Sequence, residues 1–262
     1  MSESTSSSAV DRTMRIIFAI ADSEQPDLGV TELARTLDLP KTVVHRVLRR
    51  LVAMNFLSYN QATRRYGLGP AALTVGLAAL RGLDVPRLAR HTLERLVRET
   101  GETATLSALQ GHQRVYIDQV MSPQELRQSV PIGVAFPLYA GSSSKCILAA
   151  MSPEESDEYI DSVEMSQLTP QTVIDRDALR REVARIRKRG YSATFGERQV
   201  ATASIAAAVL QPGGRVFGAL SVCGPVGRFG KGLVAGYGAL VHSAAMDVSR
   251  ELGYRPFGVP AT

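Results

Sequence analysis

Three groups of residues in this chain could do chemistry. The first is cationic. From Leu39 to Leu83 there is no Asp or Glu, yet the stretch carries Lys41, Arg46, Arg49, Arg50, Arg64, Arg65 and Arg81. Cations without competing carboxylates can approach a phosphate backbone closely, which points to DNA. The second group is nucleophilic. Ser142-Ser143-Ser144-Lys145 fits S-x-x-K, where one helical turn sets a lysine beside a serine, as in serine acyltransferases. The S-D-N and K-T-G companions of that motif are absent, and no G-x-S-x-G occurs. The third is the glycine-rich run Gly227 to Gly232, which lacks the first glycine of a phosphate loop and has Gly232 where Ser or Thr would hold magnesium.

Metal and thiol chemistry find little support. The two cysteines, Cys146 and Cys223, make neither a disulfide framework nor a C-x-x-C pair. His45, His91, His112 and His242 are scattered, so no metal and no cofactor is expected. The net charge of +5 is local rather than global, because every acidic residue among the first 70 precedes Leu39. A local patch suits a docking face. An apolar fraction of 45% with 21% charged residues is ordinary for a globular protein, and 262 residues are comfortable for two domains.

The cations need a scaffold. Asp11 precedes a helical pattern through Ala21, with Met14, Ile17, Phe18 and Ala21 on one face. Residues 22–29 read as a loop. Thr31 is a good N-cap for a short helix ending near Leu37, and Asp38-Leu39-Pro40 breaks it. A second helix runs from Lys41 to about Met54. On its 3.6-residue period Val44, Val47, Leu48 and Leu51 point inward, while Thr42, His45, Arg46 and Arg49 share the opposite face. An arginine can take guanine O6 and N7 together, and a threonine can touch a thymine methyl. Phe56–Tyr59 and Arg65–Leu68 form a hairpin whose tip brings Arg64 and Arg65 to phosphate or a narrow minor groove. The whole is a winged helix-turn-helix over residues 10–70, preceded by a disordered tail at 1–9.

Residues 71–101 read as linker helices, the longer from Val85 to Thr100 between Asp84 and Gly101. From residue 102 to 255 strands and helices alternate as in an α+β domain. Strands are expected at Thr103–Gln110, Arg114–Val120, Ser129–Val134, Tyr191–Phe195, Ala203–Gln211 and Arg215–Cys223. Helices are expected at Gly141–Met151, Asp157–Ser162, Asp175–Arg189 and Leu233–Leu252.

Four stretches resemble the isocitrate lyase regulator (IclR) family of bacterial transcription factors: GVTELARTLDLPKTVVHRVLRRLVAMNFL, PIGVAFPLYAGSSSKCILAAM, RGYSATFGERQVATASIAAAVL and GALSVCGP. The resemblance spans about residues 10–253. It implies an N-terminal winged helix-turn-helix, a linker helix, and a C-terminal GAF-like effector-binding domain. It implies a homodimer, often paired into a homotetramer. By position it carries an effector pocket onto Gly141, Ser142, Ser143, Thr194, Ser204, Ser221, Val222 and Cys223. Thr194 stands where many members carry Asp, Ser144 where Gly is frequent, and Ala201 and Ala208 where Gly and Pro are usual. These departures leave room for a ligand other than the small keto acids of some relatives. The residue chemistry agrees: amides at a helix start favour a carboxylate, and Val134, Phe136 and Leu138 supply an apolar wall. Each hydroxyl taken alone also reads as a cap or a core group.

The expected protein is a ligand-responsive DNA-binding regulator, repressor or activator, and not an enzyme. Its DNA face comprises Thr31, Lys41, Thr42, His45, Arg46, Arg49, Arg64 and Arg65, and its partners are a double-stranded operator and a small organic acid. The rival expectations are a serine acyl hydrolase using Ser142 and Lys145, and a nonspecific architectural DNA binder. Met1 to Ala9 lacks the basic start and apolar core of a secretory signal, and no apolar run could span a bilayer, so a cytoplasmic protein is expected.

Overall fold

The computed structural model describes residues 8–23, 25–75 and 84–255. Contacts divide the chain into two units, Met1–Leu83 and Asp84–Thr262.

In the first unit α1 (Ala9–Ala21) starts one turn earlier than the sequence suggests. Ser8 is its N-cap: its Oγ accepts the Asp11 N–H at 3.0 Å, and the Asp11 carboxylate accepts the Ser8 N–H at 2.9 Å. The expected loop at 22–29 ends in a short strand, β1 (Leu28–Gly29). It pairs with β3 (Arg65–Leu68), which in turn pairs with β2 (Leu57–Asn60), so the wing is a three-stranded antiparallel sheet. That extra strand displaces the predicted cap. Gly29, not Thr31, precedes α2 (Val30–Leu37), and the Glu32 carboxylate reaches back to the Gly29 N–H.

The turn between α2 and α3 (Lys41–Ala53) rests on Asp38, held at φ +52°, ψ +51°. Asp tolerates this left-handed geometry better than most residues. The Leu39 N–H then closes onto the Ala34 carbonyl at 3.0 Å. Leu33 and Ala34 of α2 meet Val44, Leu48 and Leu51 of α3 in one core, completed by Ile16, Ile20, Leu28, Leu57 and Tyr66. Each fully buried aliphatic side chain contributes on the order of 1.5–3 kcal/mol, enough to fix the outward face of α3 by fixing its inward one.

The second unit opens with α4 (Val85–Thr100), capped by Asp84 and stopped at Gly101. The sequence places this helix in a linker. It is instead part of the second unit, with Ala89, Leu93, Leu96 and Val97 buried. Of the shorter expected linker helix, residues 76–81 lie outside the described residues. A six-stranded antiparallel sheet follows: β4 (Thr103–Gln110), β5 (Gln113–Val120), β6 (Ala135–Pro137), β7 (Ser192–Phe195), β8 (Thr202–Leu210) and β9 (Val216–Pro225). The order is β6-β5-β4-β9-β8-β7. The expected strand at 129–134 is a turn, because Pro131 offers no N–H and Gly133 sits at φ +81°. Its place at the sheet edge is taken by β6.

One sheet face packs against α4 and α8 (Lys231–Glu251). The other packs against α5 (Ser142–Ala150), with α6 (Pro153–Ser162) and α7 (Arg176–Arg189) outside it. Among the described residues no helix is long and apolar enough to cross a membrane.

Candidate functional site

Two sites emerge, one in each unit. In the first, Lys41, Thr42, His45, Arg46 and Arg49 are all exposed on α3, opposite its buried Val44, Leu48 and Leu51. None of the five makes an ion pair with a described carboxylate. No acidic residue occupies the first turn of α3, so its N-terminal amides add to the positive field. Thr31 is exposed in the first turn of α2.

The wing separates its two arginines. Arg64 is exposed at the tip, at φ +57°, with its N–H bonded to the Asn60 carbonyl at 2.8 Å. Arg65 has a different task from the one expected. Its Nε lies 2.6 Å from Asp27 Oδ1 and its Nη2 3.1 Å from Glu32, and Gln25 takes a further hydrogen bond. Its charge is cancelled by acids that precede it by more than thirty residues, so it ties the wing to α2 and is not a free cation.

The second site lies between α5 and the sheet. Strand register decides which residues reach it. Thr194 pairs with Ser204, Ser204 with Cys223, and Cys223 with Thr103. Paired residues point to the same face, and that face meets α5. Val222 therefore points to the opposite face and is not a pocket residue. Ser221 faces the α5 side but is spent on Thr105, hydroxyl to hydroxyl at 2.7 Å, and does not line the cavity.

The cavity itself measures about 60 Å³. Gly141, Ser142, Ser143, Thr194, Ser204 and Cys223 are among the residues that line it. Its apolar wall differs from the expected one. Tyr116 and Val130 supply it, with Phe136 packed against them from behind. Leu138 is sealed in the core between α5 and α7, and Val134 is exposed.

Two amides at the start of α5 are already engaged by the protein. The Gly141 N–H donates to Glu197 Oε2 at 2.9 Å, and the Ser142 N–H donates to Thr194 Oγ1 at 3.1 Å. Ser142 Oγ and Ser204 Oγ are 2.5 Å apart. These amides are not waiting for a ligand carboxylate. Gly141 sits at φ +88°, and a Cβ there would come within 3.0 Å of the Arg198 side chain. Glycine thus lets both the strained turn and the arginine fit.

Lys145 is fully buried beneath this turn. Its Nζ lies 2.5 Å from Glu197 Oε1 and 2.8 Å from Glu182 Oε2. An ammonium held by two carboxylates is no general base for Ser142, and the acyl-hydrolase reading fails on this geometry. Burial pushes the Glu197 carboxyl above its ordinary range, and Lys145 opposes that shift. Burial also pushes the thiols of Cys146 and Cys223 up to about 12, so both stay protonated and inert.

Among the cavity residues that escaped the sequence reading are two arginines. Arg114 on β5 is 1% exposed. Its Nε donates to Ser144 Oγ at 2.9 Å, its guanidinium lies 4.1 Å from the Tyr116 ring centroid, and its Nη1 has no hydrogen-bond partner. Arg198 donates to the Tyr116 hydroxyl at 2.9 Å and stacks 3.7 Å from the Phe136 centroid. Neither has a carboxylate partner. The available signal was Arg114-Val115-Tyr116, whose two-residue spacing sets a cation and an aromatic on one strand face.

Known proteins match this architecture unit by unit. Residues 9–61 match the IclR helix-turn-helix domain, and residues 77–250 match the bacterial transcriptional regulator IclR C-terminal domain. The chain belongs to the IclR family. It is a DNA-binding transcriptional regulator with a C-terminal ligand-binding domain. It is 31% identical over 230 residues to the HTH-type transcriptional regulator KipR of Bacillus subtilis, covering 88% of this chain and 92% of that one. The crystal structure of the IclR protein of Thermotoga maritima shares the fold at a TM-score of 0.64 and 26% identity, over 94% of this chain and 98% of that one. An IclR homologue of Microbacterium hydrocarbonoxydans crystallised with 4-hydroxybenzoate has the same fold at a TM-score of 0.58 and 23% identity, over 94% and 99% of the two chains. These IclR relatives are regulators, so neither the acyl-hydrolase nor the architectural reading survives.

Proposed function

We propose that this IclR-family regulator binds its operator through α3 and the wing tip, and that a small organic acid in the cavity under α5 controls that binding. The acid is proposed on one observation: Arg114 is buried in the cavity wall with Nη1 unpartnered and no carboxylate facing it. A buried guanidinium without a counter-charge costs free energy in the empty protein, and an anion would recover it. The carboxylate bound by the Microbacterium relative is of the same chemical type.

On the DNA side, Thr42, His45, Arg46 and Arg49 face the bases, and Lys41, Arg64 and Thr31 face phosphates. A module of this size reads few base pairs, so a homodimer on a two-part site is proposed, acting in the cytoplasm. The acid regulates by binding one DNA-binding arrangement better than the other.

A thermal-shift screen of the full chain against carboxylic acids tests the reading, followed by operator gel shifts with the hits. An acid that raises the melting temperature and changes operator affinity supports it. If no acid does either, the site assignment is wrong.

A further inference from the structure

The cavity holds two arginines where one would anchor a carboxylate. Arg114 and Arg198 flank the same aromatic pair, Tyr116 and Phe136, at centroid distances of 4.1 and 5.2 Å for Arg114 and 5.7 and 3.7 Å for Arg198. Their hydrogen bonds go to neutral hydroxyls only: Arg114 to Ser144, Arg198 to Tyr116. A neutral hydroxyl does not cancel charge. Glu197 is the one carboxylate in the cavity lining, and its two oxygens are taken by Lys145 and the Gly141 N–H. The cavity wall therefore holds two guanidiniums against one aromatic pair, with no carboxylate hydrogen-bonded to either.

The surroundings narrow the ligand further. The cavity is about 60 Å³, which favours a compact molecule, and the faces of Tyr116 and Phe136 are already covered by guanidiniums. A ring would find no open aromatic face to stack on unless an arginine moved. The lining also carries the hydroxyls of Ser142, Thr194 and Ser204 and the amides of Gln128 and Gln199, which suit oxygen-rich groups, with Val130 and Pro131 beside them.

We infer that the effector is a compact dicarboxylate of three or four carbons, one carboxylate taken by Arg114 and the other by Arg198. The inference rests on the organic-acid reading above and adds the second acidic group and the exclusion of rings. Guanidiniums bind carboxylates in a two-point fork, so each arginine can engage one end.

Isothermal titration of the full chain with malonate, succinate, propionate, butyrate, benzoate and inorganic phosphate tests this. The expected result is that malonate or succinate binds at least tenfold tighter than propionate or butyrate. Arg114→Met and Arg198→Met should each abolish that preference, and circular dichroism should show both variants folded. Equal affinity for propionate and malonate, lost in Arg114→Met, would overturn the second acid while leaving the organic-acid reading intact. Tighter binding of benzoate overturns the exclusion of rings, and tighter binding of phosphate overturns the dicarboxylate. Should none of the six bind, both the inference and the reading beneath it fall.

Discussion

Lys145 Nζ and Glu197 Oε1 lie 2.5 Å apart, while the second oxygen of Glu197 accepts the Gly141 N–H that opens α5. One carboxylate thus joins the ammonium in the core to the backbone that shapes the cavity. The next residue in the chain is Arg198, which closes the cavity from outside.

Replacing Lys145 with Met leaves Glu197 and Glu182 facing each other without a cation. Removing one partner of a buried ion pair typically costs about 3–5 kcal/mol. Burial already raises the Glu197 carboxyl, and loss of Lys145 raises it further. The folded variant then binds a proton at a pH where the unfolded chain has released it, so its stability falls as pH rises through that window. Urea melts should show a large deficit at pH 7 that shrinks toward pH 5. A deficit equal at both values would mean that Lys145 acts through packing alone.

Arg114→Met should do the opposite in the absence of ligand. It removes an unpartnered buried guanidinium nitrogen, whose burial costs about 1–3 kcal/mol, and keeps most of the side-chain volume. We expect the empty protein to melt at a higher temperature than wild type. A lower melting temperature would identify Arg114 as a structural residue.

Arg46→Ala should weaken specific operator binding by about 1–3 kcal/mol if the guanidinium meets a base edge, and relax the preference at one position. Selection from a randomised operator library reads this directly. A preference matching wild type at every position takes Arg46 off the reading face.

The two wing arginines should separate cleanly. Arg64→Ala should lower affinity for all DNA sequences and flatten the salt dependence by about one unit, with no change in melting temperature. Arg65→Met should lower stability by about 1 kcal/mol, since its ion pairs are partly exposed. Paired measurements of melting and salt slope distinguish them. Identical behaviour of the two variants would contradict their different surroundings.

The exposed cationic side of α3 was legible because a helix writes its orientation into spacing: Val44, Leu48 and Leu51 fix the inner side, and the cations can only be outside. The three-stranded wing was not, because β1 is two residues long and leaves no periodic trace. Its consequence, the neutralisation of Arg65 by Asp27 and Glu32, was hidden with it. Val222 went wrong for a different reason. Ser221, Val222 and Cys223 are consecutive in an extended strand, so they cannot all point one way, and the register with β8 selects Cys223. Arg114 was missed because a lone arginine in a strand reads as solvent-facing. Only the packing of α5 over that face shows that it is buried.

The first two amides at the start of α5 are already engaged, Gly141 by Glu197 and Ser142 by Thr194. On the proposed reading, discrimination between ligands rests mainly with side chains such as Arg114 and Arg198. Such positions can change one at a time without disturbing sheet or helix. On that reading, a regulator can acquire a new signal through single substitutions at residues 114 and 198, while the machinery that reads the genome stays as it was.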